Sequence, residues 1–462
     1  MTAFEALAAA RLARLDRPAR RALFRAVEAA EATVALYHRH RARGRPVPHP
    51  IALTPFVVSR RLLPTLERLA DCVHRLQTRA PELYRADAFD FRALCPVGET
   101  TARWLAWDAG AADPGALMIR PDVGLEEVGP QGQPVLFETN ATGLAGLYNH
   151  AAGAAILRRE VFPRLLTAAE QGRLEDPPDL LALVYRWVTR AARRLGRRRL
   201  RGVAFVEEAA ALPGYSELPR LVLAFEARGV RAACGTPDQL RRTRAGIFLR
   251  DCPVDLVYRD LAYADLGPPS ARGRSAGAVI ALAGAGRVLP SLAGEFAHKG
   301  LLEALVRPEY RRLFTPAERR LLRAAVPWTR VLAARFTDGP GGRRVDLPEY
   351  ARRRRGRLLI KPNVGSSGEG ILLGRETPAA RWEQRIARAL REPGAWVVQE
   401  RRPGTRRVMV YLRDGQAHAG PCYVSLGLFY APGDLGLHVR VSRAPIVNVA
   451  RGGALACAFL TG

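Results

Sequence analysis

The stretch Leu358-Leu-Ile-Lys-Pro-Asn-Val-Gly-Ser-Ser-Gly-Glu-Gly-Ile-Leu-Leu-Gly374 decides how this chain is read. An apolar run delivers Lys361, then Gly365, Gly368 and Gly370 punctuate a loop, and a second apolar run follows. Glycines let backbone N–H groups turn toward an anion without a side chain blocking close approach. Ser366 and Ser367 can add hydroxyl donors. The loop runs from strand to strand, so it is neither a Walker loop nor a dinucleotide fingerprint, both of which open a helix. Its pattern predicts a strand–loop–strand flap over phosphate, although an ordinary glycine-rich hairpin shares the local pattern.

Lys361 gains weight from the composition around it. The chain has 72 lysines and arginines among 462 residues, and only Lys299 and Lys361 are lysine. Where arginine serves almost everywhere, the two surviving ammonium groups are candidates for positions where a planar guanidinium does not fit and a compact point charge does, the alternative being chance survival on the surface. Lys299 lies in Phe296-Ala-His-Lys-Gly-Leu-Leu, where the pattern predicts a helix start; a helix N-terminus favours anions, so a cation there points to a ligand. His298 reads as a solvated neighbour and not as a base.

About 25 residues on, Ala395-Trp-Val-Val-Gln-Glu400 is an apolar strand that ends in polar residues. Gln399 and Glu400 are placed to meet a nucleotide base and ribose at a strand-to-loop hinge. Upstream, Met118-Ile-Arg-Pro-Asp122 and Val135-Leu-Phe-Glu-Thr-Asn140 read as two strands joined by a turn-rich connection. Side chains two apart share a strand face, which pairs Arg120 with Asp122 and Glu138 with Asn140. If the strands are neighbours, Asp122, Glu138 and Asn140 form a hard oxygen set suited to magnesium. Arg120 then stands beside the metal, able to neutralise a transferring phosphoryl group. The alternative is a solvated polar face. Val254-Asp-Leu-Val-Tyr-Arg-Asp260 puts Arg259 at a strand end, where ligand sites gather in sheets flanked by helices, or where a surface ion pair with Asp260 forms.

Composition bounds the remaining possibilities. The length supports two or three domains. Residues 1 to about 90 read as helices, and from about 100 short apolar runs alternate with helical stretches. No apolar run reaches the roughly 20 residues of a membrane span, and the N-terminus breaks its apolar stretches with charge, unlike a signal peptide. Six scattered cysteines without a C-x-x-C pair fit a reduced, cytoplasmic setting. The net charge of +28 and the runs at 193–201 and 352–357 suit nucleic-acid backbones. Against that partner, aromatic residues are only 7% and do not interleave with the basic runs as a stacking platform requires.

Together these segments resemble the ATP-grasp superfamily in a circularly permuted form, similar to the synthetase domain of glutathionylspermidine synthetase and related bacterial proteins. Glu138-x-Asn140 comes first, followed by VDLVYRD, the Lys299 segment, the 361–374 loop, the 395–400 hinge and a closing Ile446-Val-Asn-Val-Ala-Arg-Gly-Gly453. The resemblance implies an α+β ATP-grasp fold over 95–462 behind a helical region at 1–94. It implies ATP held by Lys299, Lys361, Gly365, Ser366, Ser367, Gly368, Gly370, Gln399 and Glu400, and Mg2+ on Asp122, Glu138 and Asn140. Arg120 and Arg259 become the catalytic candidates. The implied activity is ligation of a small-molecule or peptide carboxylate to an amine through an acyl phosphate, without membrane or nucleic-acid partners. A nucleotide-binding scaffold of the same fold without catalysis is the other reading.

Overall fold

The computed structural model describes every residue except 1–2, 35–36, 40–45, 109, 111–112, 127–131, 213–215, 271–273, 366–367, 405 and 414–415. Three sheets organise the chain. The largest has six strands, and its centre is the long strand Gln416–Ala431. That strand pairs antiparallel with Arg406–Arg413, Asp434–Ser442 and Arg120–Glu126; the last of these pairs in turn with Gln133–Asn140. A second sheet is parallel, in the order Val288–Leu289, Leu256–Arg259, Gly202–Val206, Arg231–Gly235. Parallel neighbours need a crossover, and the helix Leu218–Glu226 supplies one between Gly202–Val206 and Arg231–Gly235.

The third sheet is antiparallel, in the order Thr329–Val331, Trp396–Glu400, Leu358–Pro362, Leu372–Leu373. Period-2 alternation sorts its side chains. Leu358, Ile360 and Val398 enter a buried cluster with Trp382 and Ile386, while Leu359, Lys361 and Gln399 line a cavity on the other face. The helix Ala379–Arg391 covers the buried face, because Trp382, Ile386 and Ala389 recur at helical spacing on one side.

The region 1–94 is largely helical, as its periodicity indicates, but it is not separate from the rest of the chain. In the helix Leu63–Thr78, Leu66, Leu69, Ala70, Val73 and Leu76 join the same buried cluster as Leu426, Leu428 and Val439 of the large sheet. Phe56–Ser59 is a strand, and it pairs in parallel with the C-terminal Ala458–Thr461. Pairing with a partner at the far end of the chain has no signature in local periodicity. Among the described residues, no helix is long and apolar enough to cross a membrane.

Candidate functional site

A cavity of about 1100 Å³ opens between the antiparallel sheet and the large sheet. One wall carries Leu359, Lys361, Gln399 and Glu400, together with Gly368 and Ile371 of the glycine loop. The facing wall carries Asp122, Glu138, Ser425 and Arg440, and the segment Pro445–Asn448 closes one side. The volume exceeds that of a typical single-ligand pocket.

The two strands read from sequence are neighbours. Arg120–Glu126 pairs with Gln133–Asn140 in a register that sets Asp122 opposite Glu138 and Arg120 opposite Asn140, with a bulge after Asp122. Arg120 Nε donates to Asp122 Oδ1 at 3.2 Å, and Arg440 Nη2 donates to Asp122 Oδ2 at 2.6 Å. Burial alone pushes the Asp122 carboxyl up, but the two guanidinium groups outweigh it and hold it below the usual carboxylate range. Room for this buried cluster comes from Gly427, paired with Asp122 on the adjoining strand. A Cβ there would come within 2.9 Å of Arg120 Cδ and 3.1 Å of Asp122 Oδ1.

Both lysines reach the strand Gln133–Asn140, and Lys361 also lines the cavity. Lys361 Nζ donates to Phe137 O at 2.7 Å, one residue before Glu138. Lys299 Nζ sits 3.3 Å from Glu138 Oε2 and donates to Gly365 O at 2.9 Å. Burial drives the Lys361 ammonium down to about 7; Glu138 opposes that fall and Lys299 adds to it. Asn363, buried two residues beyond Lys361, ties the lysine segments together. Its Oδ1 accepts from Gly300 N at 2.8 Å, its carbonyl accepts from Lys299 N at 2.9 Å, and its Nδ2 donates to Leu94 O and Gly394 O.

The glycine segment is strand–loop–strand, and Gly365, Gly368 and Gly370 all adopt positive φ, which favours glycine. Ser366 and Ser367 lie outside the described residues. Gln399 is buried and donates to Thr329 Oγ1, while Glu400 stands at the strand end.

Four expectations change. Lys299 precedes only a one-turn helix, Leu301–Ala304, so Glu138 and a loop carbonyl hold it and no helix N-terminus is involved. His298 is buried, not solvated; its Nε2 lies 2.6 Å from Pro96 O, and burial lowers its pKa to about 4. Arg259 is fully buried and is not brought to the cavity. It pairs with Glu295 at 2.7 Å, bonds three carbonyls and lies over the Tyr263 ring, because the strand end turns inward under the chain at Pro290–Ser291. Asn140 turns its amide nitrogen, not its oxygen, toward Asp122 Oδ2 and Arg120 O.

Sequence reasoning passed over Arg440, Asn363 and Gly427. Arg440 is one of 70 arginines and carries no local mark. Asn363 could have been found, since it sits inside the decisive stretch next to the lysine.

The donor chemistry fits a magnesium ion bound together with phosphate oxygens. Asp122 and Glu138 are two carboxylates in facing register, and such an ion takes only one or two from protein. Among the described residues no group of three or more His, Cys, Asp or Glu gathers as an all-protein metal cage.

No protein-family model matches the chain, and no curated protein matches it by sequence. A solved structure does resemble it: a glutathione synthetase-like effector from Globodera pallida in apo form, at TM-score 0.64 and 11% identity over 97% of this chain and 98% of that one. The fold is glutathione-synthetase-like. At that identity the likeness is one of fold alone.

Proposed function

We propose that the chain is an ATP- and magnesium-dependent carboxylate–amine ligase of circularly permuted ATP-grasp type. One observation carries the reading: the only two lysines of the chain converge on neighbouring residues of one strand, Lys361 on the Phe137 carbonyl and Lys299 on the Glu138 carboxylate, beside a cavity that Lys361 and Glu138 line, although the three segments are distant in sequence. Lys361 and Lys299 would hold the nucleotide's phosphates, under the loop of Gly365, Gly368 and Gly370. Leu359, Ile371 and Leu373 offer an apolar slot for a base, beside Gln399 and Glu400.

In the proposed reaction the substrate carboxylate attacks the γ-phosphorus, and ADP leaves to give an acyl phosphate. The amine then attacks the acyl carbon, phosphate departs with its electron pair, and the amine's proton is released as the amide forms. Arg120 and Arg440, held in place by Asp122, would face the negative charge that develops on the carboxylate oxygens, so the chain contributes position and charge neutralisation. Glu138 and Asp122 would hold magnesium, joined by Asn140 after its amide turns over. The metal, when bound, neutralises phosphate oxygens. The test is release of ADP and phosphate from ATP with magnesium, screened against pooled amino acids, dipeptides and polyamines. Turnover that requires both an acid and an amine supports the ligase.

A second reading has its own observation. Asp122 already accepts from Arg120, Arg440 and Asn140, an arrangement that suits a nucleotide-binding scaffold without a metal. Nucleotide binding undiminished by chelator, with no turnover across the screen, would favour it.

A further inference from the structure

A second, smaller cavity of about 310 Å³ lies outside the main cleft, between the turn Pro308–Leu313 and the helix Pro316–Ala325. Its lining is half arginine: Arg307, Arg311, Arg319 and Arg323 surround an apolar floor that includes Leu305 and Phe314. That share is well above arginine's share of the chain, and no lining residue is acidic.

Of the nearby carboxylates, one engages a lining arginine and the other is committed outside the cavity. Glu309 takes Arg307, and Glu318 takes Arg75 and caps its own helix through Thr315 N. Arg319 is braced by the carbonyls of Arg311 and Phe314. Among the described residues, Arg311 and Arg323 have no ion-pair partner. Elsewhere in the fold converging arginines surround an acid, as Arg197, Arg201 and Arg287 do at Asp255 and Arg186 and Arg190 do at Asp434. Here Arg311, Arg319 and Arg323 line a concave space with an apolar base and no acid among its lining residues, while Arg307 at its edge is held by Glu309. The mutual repulsion of such a group is relieved by an anion, and guanidinium forks pair with carboxylate or phosphate through two parallel hydrogen bonds.

We propose that this cavity is a ligand site for a small organic anion, an apolar body carrying a phosphate or carboxylate head. The head meets Arg311, Arg319 and Arg323, and the body rests on Leu305 and Phe314. The site is independent of the ligase reading, because it shares no lining residue with the main cleft.

Calorimetric titration of the full chain with phenyl phosphate, benzoate and inorganic phosphate tests this. Phenyl phosphate or benzoate is expected to bind with one site and more tightly than inorganic phosphate, and whichever binds better tells the phosphate head from the carboxylate. Arg311 and Arg323 are exposed, so Arg311→Ala/Arg323→Ala should fold normally and lose at least about tenfold in affinity, the scale of losing charge-assisted bonds. Arg198→Ala/Arg199→Ala, which removes equal charge from another exposed surface, should bind as the unmodified chain does. The proposal is overturned by no binding of either organic anion at millimolar concentration, or by equal losses in the two double variants.

Discussion

Lys299 Nζ lies 3.3 Å from Glu138 Oε2, and the same ammonium donates to the carbonyl of Gly365. One side chain thereby joins the metal-candidate strand to the glycine loop. Replacing Glu138 by glutamine keeps the shape and removes the charge. If the ligase reading holds, ATP turnover in Glu138→Gln should fall about 10²–10³-fold, the scale of losing one preorganised electrostatic group. The Glu138 side chain is 29% exposed but its partner Lys299 is only 6% exposed, so the variant leaves a buried ammonium without its carboxylate and the unfolding free energy should fall by about 1–3 kcal/mol. Steady-state ADP release and urea unfolding measure the two. Unchanged turnover would remove Glu138 from the chemistry.

Asp122 is the buried centre of a triad with Arg120 and Arg440. Removing one partner of such a pair leaves an uncompensated charge, and about 3–5 kcal/mol is the usual cost. Asp122→Asn, which strands both guanidinium groups, should therefore destabilise strongly, and Arg440→Leu, which leaves Asp122 paired with Arg120, should destabilise less. The double variant should lose less than the sum by at least about 1 kcal/mol, because with Asp122 neutralised Arg440 has no carboxylate to lose and its removal relieves repulsion with Arg120. Denaturant unfolding of the four proteins closes the cycle. Additive losses would mean that the two groups do not depend on each other.

Period-2 and glycine patterns carried the local part of this site. The alternation of Leu359 and Lys361 against Leu358 and Ile360, the flap after Lys361, and the shared face of Arg120 and Asp122 could all be read from neighbouring residues. What could not be read was anything set by packing over distance. Arg259 looked like a strand-end ligand residue, and only the tertiary approach of Pro290, Ser291 and Glu295 takes it into the interior. Arg440 was hidden in an arginine-rich background, and its meaning comes from a strand register that brings it over Asp122. The pairing of Phe56–Ser59 with the last strand, which binds the N-terminal helices into the body, is equally non-local.

Asp260 predicts a pH dependence. Burial raises its carboxyl to about 7 from 3.8, Glu207 and Glu217 add to the rise, and Arg259 opposes it. Between those two values the folded chain binds more protons at this position than the unfolded chain does. Its contribution to stability therefore falls as pH rises through that window, and the full cost is present above about 7. Asp260→Asn carries no such charge. It should be more stable than the unmodified chain at pH 8, on the order of a few kcal/mol, and the gap should close toward pH 4. Unfolding curves at several pH values check it; a gap that does not vary with pH would contradict the assignment.

Gly368 turns the glycine loop against the segment Pro445–Asn448. It has φ of 68°, and a Cβ at that position would run into Ile446 Cγ2. Gly368→Ala carries two separate penalties: about 1–2 kcal/mol for a left-handed non-glycine residue, and a displacement of the loop by the clash. Truncating Ile446 removes only the second. If the loop grips a nucleotide, Gly368→Ala should weaken ATP binding by about tenfold or more. Gly368→Ala/Ile446→Ala should then recover part of the loss but not all of it, while Ile446→Ala alone should bind nearly as the unmodified chain does. Calorimetric titration with ATP separates these outcomes. A double variant no better than Gly368→Ala would show that the contact with Ile446 does not set the loop's position, and an unimpaired single variant would take the loop out of nucleotide binding altogether.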